Sequence, residues 1–492
     1  MWNLVSYPIR RFGRTFNLAS PGAAMALGTV LGLLVLAVAP EMPGWSRHRL
    51  LLVSGMVLIY LATLVMGEIR RVLLLSLVAA IPLNLAFAPL GRVPYHAGGA
   101  PAGTVLYPYD FTLILLIVLR LLDILGKGKP IRFCSVDVVA VLLIIWTALS
   151  IYNSSYIRLS LFELLRMTKL YLLSRVVASS VKRKRDIQDV VIALVIGLIV
   201  QGVICLLQYV AGIDLGLGLF TVGDLRRVSG TVGWPNTLGA YAATVLSVTL
   251  ALWIYSARGR VRMAIGAACI AGLFSLILSF SRGAWISLLA GVALILFWGW
   301  RTTRLGTKSI RSISLIALAA AVVGVLFATS ITARLTEVHP DMEVLVDRMQ
   351  LNRVAINMIN AHPLLGVGIN TFVDTMKQYD TTGVTHYFPQ PVHNVFLLVA
   401  AETGLVGLGL FLLLMFMAFR AALQAAKSDD RFLSASAIGI SSGLIVLLVN
   451  NVADCHLRTD ILYALFWLLI GLAVAVKRMT ISAAFWGMTR RL

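Results

Sequence analysis

The chain has 492 residues, 59% of them hydrophobic and only 13% charged, with a mean hydropathy of +0.90. A soluble domain is roughly half apolar, so this composition excludes one and points to an all-α integral membrane protein. The net charge of +21 sits in short basic clusters between apolar runs, which is the signature of a membrane topology and not of a nucleic-acid face.

Apolar runs of roughly 17 to 25 residues cross a bilayer as helices. About fourteen are expected by that criterion, near 22–40, 50–67, 71–90, 110–126, 136–152, 162–180, 187–209, 236–256, 263–280, 283–300, 313–330, 393–419, 434–452 and 460–476. The first follows Arg10, Arg11 and Arg14 without a small-residue cleavage site and is read as a retained helix. An even count puts both termini on one side. The clusters at Arg70/Arg71, Lys127/Lys129/Arg132, Lys182 to Arg185, Arg258/Arg260/Arg262, Arg301/Arg304/Lys308/Arg311, Lys427/Arg431 and Lys477/Arg478 all fall on that side, which is therefore expected to be cytoplasmic. Four regions follow: N-terminal helices over 1–209, helices with arginine motifs over 210–330, a large outer loop over 331–392, and C-terminal helices over 393–492.

The outer side carries all seven histidines, His48, His96, His339, His362, His386, His393 and His456. None has i, i+4 spacing to another, and no HExxH or Cys-x-x-Cys pattern occurs, so no metal site is expected. The four cysteines suggest no disulfide framework. Within the long outer loop, Met342, Leu345, Val346, Met349, Val354, Ile356 and Ile359 recur near a helical period, with Arg348 and Arg353 at polar positions. That pattern predicts an amphipathic helix at the outer interface, ended by the His362-Pro363 turn.

Candidate chemistry gathers on the same side. Arg226 and Arg227 precede a Gly- and Pro-containing approach to the helix that Asn236 begins, and Arg282 stands in a three-residue outer turn. His393 opens the next outer helix. Arginine forks bind phosphate bidentately and helix starts present unpaired N–H groups, so three such elements around one pocket would suit a diphosphate. A histidine there acts either as a base or as a cationic clamp. The alternative reading is interfacial anchoring for Arg282 and a structural helix start for His393. Glu163, Arg166 and Lys169 share one helix face inside a span, lining a cavity or pairing with each other, and Glu402 is a second buried acid.

Four segments, RVSGTVGWPNTLGAY (227–241), SFSRGAWIS (279–287), RMQLNRVAINMINAHPLLGVGINTF (348–372) and VHNVFLLVAAETGLVGLGLF (392–411), together resemble bacterial O-antigen ligases and the related O-antigen and exopolysaccharide polymerases. The resemblance covers the C-terminal half and hardly touches the first 150 residues. It implies a GT-C-like glycosyltransferase of the bacterial inner membrane, with a periplasmic active site. The donor is then an undecaprenyl-diphosphate-linked glycan, and the acceptor is lipid A-core or another carrier-linked glycan. By the same resemblance the reaction needs no metal or cofactor and inverts the anomeric carbon. Arg227 and Arg282 fall on the diphosphate-binding positions, and His393 on the base or leaving-group position. Arg226, Asn236, Arg348, Arg166 and Lys169 join them as candidate substrate contacts. Asn352 stands where the family has tryptophan, and Asn370 replaces a glycine of the turn. A transporter of lipid-linked sugar is the competing class, but no internal repeat with matched broken helices is visible, and a membrane scaffold is a third.

Overall fold

The computed structural model describes residues 69–87, 105–127, 133–212, 219–222, 225–301 and 339–489, with Gly103 and single positions between 302 and 338. The expected spans at 22–40 and 50–67 and most of 313–330 lie outside the described residues. The described helices are α1 (Ile69–Ala80), α2 (Pro108–Lys127), α3 (Ser135–Ser150), α4 (Ile157–Ser180), α5 (Lys184–Ala211), α6 (Pro235–Tyr255), α7 (Gly259–Leu278), α8 (Arg282–Arg301), α9 (His339–Ala361), the single turn α10 (Phe372–Thr375), α11 (Val395–Ala426), α12 (Arg431–Asn450) and α13 (Asp460–Thr489). A short antiparallel hairpin pairs β1 (Leu219–Val222) with β2 (Leu225–Val228).

Among the described residues, eight helices are long and apolar enough to cross a membrane: α3, α5, α6, α7, α8, α11, α12 and α13. The protein is a multi-pass, predominantly helical membrane protein. The spans expected at 110–126 and 162–180 are helical too, as α2 and α4, but both carry buried charge. Those charges are paired, Lys169 with Asp110 at 2.9 Å and Arg175 with Asp137 at 2.6 Å. The expected third span is corrected. Its helix ends at Ala80, and the chain beyond it runs to an extended bridge between Phe87 and Leu106. Pro82 has no N–H to continue a helix and disfavours it at the preceding residue. The freed backbone bonds elsewhere: Asn84 N–H donates to the Thr231 carbonyl at 2.9 Å, and the Thr231 hydroxyl to the Pro82 carbonyl at 2.6 Å.

Helix α6 is the central post, buried at all but Asn236 and Tyr255 and packed by α7, α8 and α12. Small residues let it be central. A Cβ on Gly239 would fall 2.8 Å from both Ser279 Oγ and Ser281 Cβ, and one on Gly439 of α12 would fall 2.9 Å from the Val248 backbone. In lipid, such close backbone approach replaces the hydrophobic drive that water supplies to soluble cores. Pro235 starts α6 at the one position where proline's missing N–H is harmless.

Helix α9 forms where expected, but its buried face is not the one the apolar period suggested. Leu351, Val354, Ala355 and Met358 pack into a small second core with Phe372, Val392, Leu398 and Ala401, while Val346, Met349 and Ile356 face outward. The loop segment after α9 then docks into a break in α11. Gly404, at φ 73° and ψ 177°, divides that helix in two. The Pro363 carbonyl accepts from Leu405 N–H at 2.8 Å, while Val367 N–H and Gly368 N–H donate to the Ala401 and Glu402 carbonyls at 2.9 and 3.0 Å. The loop thus satisfies the backbone groups that the break leaves open, as membrane burial demands.

That backbone conformation belongs almost exclusively to glycine, and a Cβ at Gly404 would stand 1.8 Å from the Leu364 carbonyl oxygen. Gly404→Ala is therefore expected to cost at least about 2 kcal/mol. Thermal unfolding in detergent should show a lower midpoint, and hydrogen exchange should rise over residues 363–368.

Candidate active site

The elements bearing Arg227, Arg282, Arg348 and His393 gather at one end of the bundle. β2 presents Arg227, whose Nε and Nη2 donate to the Ser279 carbonyl at 3.1 and 3.0 Å, while Nη2 also donates to Asn236 Oδ1 at 2.7 Å. The guanidinium therefore bridges the first turn of α6 and the α7–α8 turn. That turn is tight enough to force Phe280 to φ 49°, and Arg282 opens α8 immediately after it. Adjacent residues of a strand face opposite ways, so Arg226 leaves this assembly and donates instead to the Tyr209 carbonyl at 2.8 Å, at the end of α5.

From Asn236 the contacts continue to the loop between α12 and α13. Asn236 Nδ2 donates to Asp454 Oδ2 at 3.4 Å, and His456 Nε2 lies 3.4 Å from the same oxygen. Arg348 reaches in from α9, with Nη1 donating to the Ala453 carbonyl at 3.2 Å. His393 stands just before α11, whose first turn is capped by Asn394 Oδ1 accepting from Phe396 N–H at 2.9 Å and Leu397 N–H at 3.1 Å. The Phe388 ring lies nearly parallel to the imidazole, with centroids 6.2 Å apart. The Asn451 carbonyl accepts from Val395 N–H at 2.9 Å, which joins the mouth of α11 to the Asp454 loop.

Two buried polar atoms here have no hydrogen-bond partner, His393 Nδ1 and Arg348 Nε. Burial pushes the His393 pKa below the ordinary histidine value; the Asp454 carboxylate pulls it back, and Arg348 and His456 push it down again. Burial alone would raise the Asp454 carboxyl, but His456, His393, the Cys455 N–H and Arg348 outweigh it and hold the group below the usual range. These shifts favour the neutral form of the imidazole beside the ionised form of the carboxylate, with the Arg348 guanidinium next to both. Such a pair can take a proton, and the cations can stabilise developing negative charge.

Arg166 and Lys169 are paired outside this cluster, although Arg166 Nη1 also donates to the Arg458 carbonyl at 2.7 Å. Arg166 is engaged by Glu163 through two bonds of 2.9 and 2.8 Å, and Lys169 by Asp110 at 2.9 Å. Of the expected candidates, Arg227, Asn236, Arg348 and His393 meet, with Arg282 three residues from the carbonyl that Arg227 holds. Asp454 was not singled out by the sequence reading. Its signal was the short polar stretch from Asn450 to His456 between two apolar spans.

Residues 267–412 match the family model described as O-antigen ligase. Over that stretch, which is less than half of the chain, the sequence is similar to the O-antigen ligase family. The matched stretch contains the Arg282 turn, the Arg348 helix and the His393 helix start, and ends before the Asp454 loop. Comparison with curated proteins finds no match.

The Asp454 carboxylate stabilises protonated His393, so Asp454→Asn should move the His393 pKa further down. Titration of ¹³C-histidine-labelled protein by NMR reads this without any substrate; an unchanged or raised value would separate the two side chains.

Proposed function

We propose that this protein is a membrane glycosyltransferase of the O-antigen ligase type, moving a glycan from an undecaprenyl-diphosphate carrier to an acceptor hydroxyl at the periplasmic face of the bacterial inner membrane. Both termini are then cytoplasmic, in keeping with the basic-loop pattern. The observation that carries the reading is the convergence of a half-buried His393, its pKa lowered by its surroundings, with Asp454, Arg348 and the Arg227–Asn236 clasp at one membrane-level end.

In the reaction, the acceptor O–H gives its proton to a ring nitrogen of His393. The oxygen's electron pair forms the new bond to the anomeric carbon from the side opposite the leaving group, inverting that centre. The bond from that carbon to the carrier diphosphate breaks, and its pair leaves on a phosphate oxygen. Asp454 steadies the imidazolium, while Arg227, Arg282 and Arg348 offset the growing diphosphate charge. Fixed cations in a water-poor site do this without reorganisation, so no metal is required. Arg226, Arg166 and Lys169, engaged elsewhere, leave the substrate-contacting set. A polymerase would run the same donor chemistry with a carrier-linked glycan as acceptor. Offering lipid A-core and a carrier-linked glycan side by side tests this, and lipid A-core is the acceptor expected to be extended.

His393→Ala is expected to lower turnover by roughly 10² to 10⁴ with donor binding nearly intact. Because a base works in its neutral form and burial depresses this one, the acid limb of the wild-type rate profile should fall below about pH 6.5. A rate that instead fails as pH rises through that region would make His393 a cationic clamp. Chelators should leave the rate unchanged.

Arg282→Lys keeps the charge but loses the planar fork. Donor binding and turnover should both drop by at least about tenfold, the scale of one lost charge-assisted hydrogen bond. Wild-type kinetics would return Arg282 to an interfacial anchor.

A further inference from the structure

Arg458 ends the short turn that follows Asp454 and is buried. One arm of its guanidinium, Nη1, donates to Asn370 Oδ1 at 2.5 Å, and Nη2 pairs with Glu402 Oε1. Its own carbonyl accepts from Arg166 Nη1 at 2.7 Å. Glu402 also accepts from Phe372 N–H at 3.1 Å. Three segments therefore close on one side chain: the first half of α11, the turn at Asn370, and the loop bearing Asp454.

The spacing along the chain gives this junction its meaning. Glu402 lies nine residues after His393 on the half-helix that His393 opens, and Arg458 lies four residues after Asp454. We infer that Arg458, gripped by Glu402 and Asn370, is a positioning residue for the acid–base pair, fixing the Asp454 loop against the first half of α11 so that the Asp454 carboxylate stays opposite His393. The inference rests on the reading of His393 and Asp454 as that pair.

A buried ion pair is an expensive way to hold two segments together, since well-packed apolar side chains hold as well or better. What a planar arginine adds is direction: a fork fixed by two acceptors on different segments admits one register. Asn370 suits the role. It sits at φ 63°, a conformation that a glycine would adopt more easily, yet only a side chain with an acceptor can meet Arg458. The neighbouring charges are accounted for locally, Arg166 by Glu163 and by Asp460 at 3.5 Å. The groups that face His393 itself are Asp454 and His456 from the loop and Arg348 from α9.

The test uses full-length protein in lipid nanodiscs with ¹³C-labelled histidine, the His393 signal being assigned with His393→Gln. Asn370→Gly deletes one of the bonds that grip Arg458 while keeping the backbone conformation and every charge. Arg458→Gln removes the fork itself. If the grip positions Asp454, both variants lower the His393 pKa, in the direction of Asp454→Asn, with Arg458→Gln moving it by about half a pH unit or more. Neither should move it further in an Asp454→Asn background, because the effect runs through that carboxylate. Loss of the Arg458 charge by itself works the opposite way, raising the value, so a downward move reports displacement. A His393 pKa unchanged in Asn370→Gly, or a downward move that persists without Asp454, overturns the inference. Transfer from a synthetic undecaprenyl-diphosphate-linked oligosaccharide in proteoliposomes is measured separately. If His393→Ala transfers at the wild-type rate, the catalytic reading falls while the positioning result keeps its own answer.

Discussion

The guanidinium of Arg227 closes on the Ser279 carbonyl and the Asn236 side chain, and the end of the bundle that holds the candidate site depends on that closure. A backbone carbonyl in a turn as tight as Ser279–Ser281 has no helical partner, and at membrane level it has little water. Arginine satisfies it and at the same time sets the distance between the starts of α6 and α8. Asn236 then spends its amide on Asp454, so the clasp extends to the loop between α12 and α13. The small residues of α6 make the arrangement possible, because the turn could not approach if Gly239 carried a side chain.

A second constraint shapes the opposite wall. Helix α11 spans 32 residues, roughly 48 Å at 1.5 Å per residue, which is longer than the hydrocarbon core needs. The break at Gly404 resolves the mismatch by turning the first half into a separate element that packs with α9 and the loop after it. The backbone groups exposed by the break are taken up by the loop after α9, and the loop is seated by the same act. His393 stands at the mouth of that half-helix, so its position is governed by the loop as much as by the membrane.

Charge follows the same economy of water. The groups around His393 form a cluster in which burial and Arg348 push the imidazole towards its neutral form while the neighbouring histidines, the Cys455 N–H and Arg348 favour the ionised Asp454 carboxylate. Deeper in the bundle the charges of α2 and α4 are joined in short ion pairs. Intramembrane charge therefore divides into paired groups that hold helices together and a partly open set with unpartnered nitrogens on His393 and Arg348.

The sequence by itself determined that the chain is a helical membrane protein, where most of its described helices begin and end, and that Arg282 and His393 stand at helix starts, with Arg227 in the approach to another. Those features are local: apolar length, basic loops, and proline or glycine at boundaries act on neighbouring residues and can be read along the chain. Tertiary structure alone decided that Arg226 turns away while Arg227 turns in, that α9 buries Leu351 and Met358 and not Val346 and Met349, and that the expected third span stops at Ala80. It alone brought Asp454 to His393 across sixty-one residues of sequence, and it gave Glu402 to Arg458. A carboxylate in a short polar loop reads the same whether it faces water or an imidazole. The difference lies in which segments the broken helix and the Arg227 clasp bring within a few ångströms, and no residue type or spacing encodes that packing.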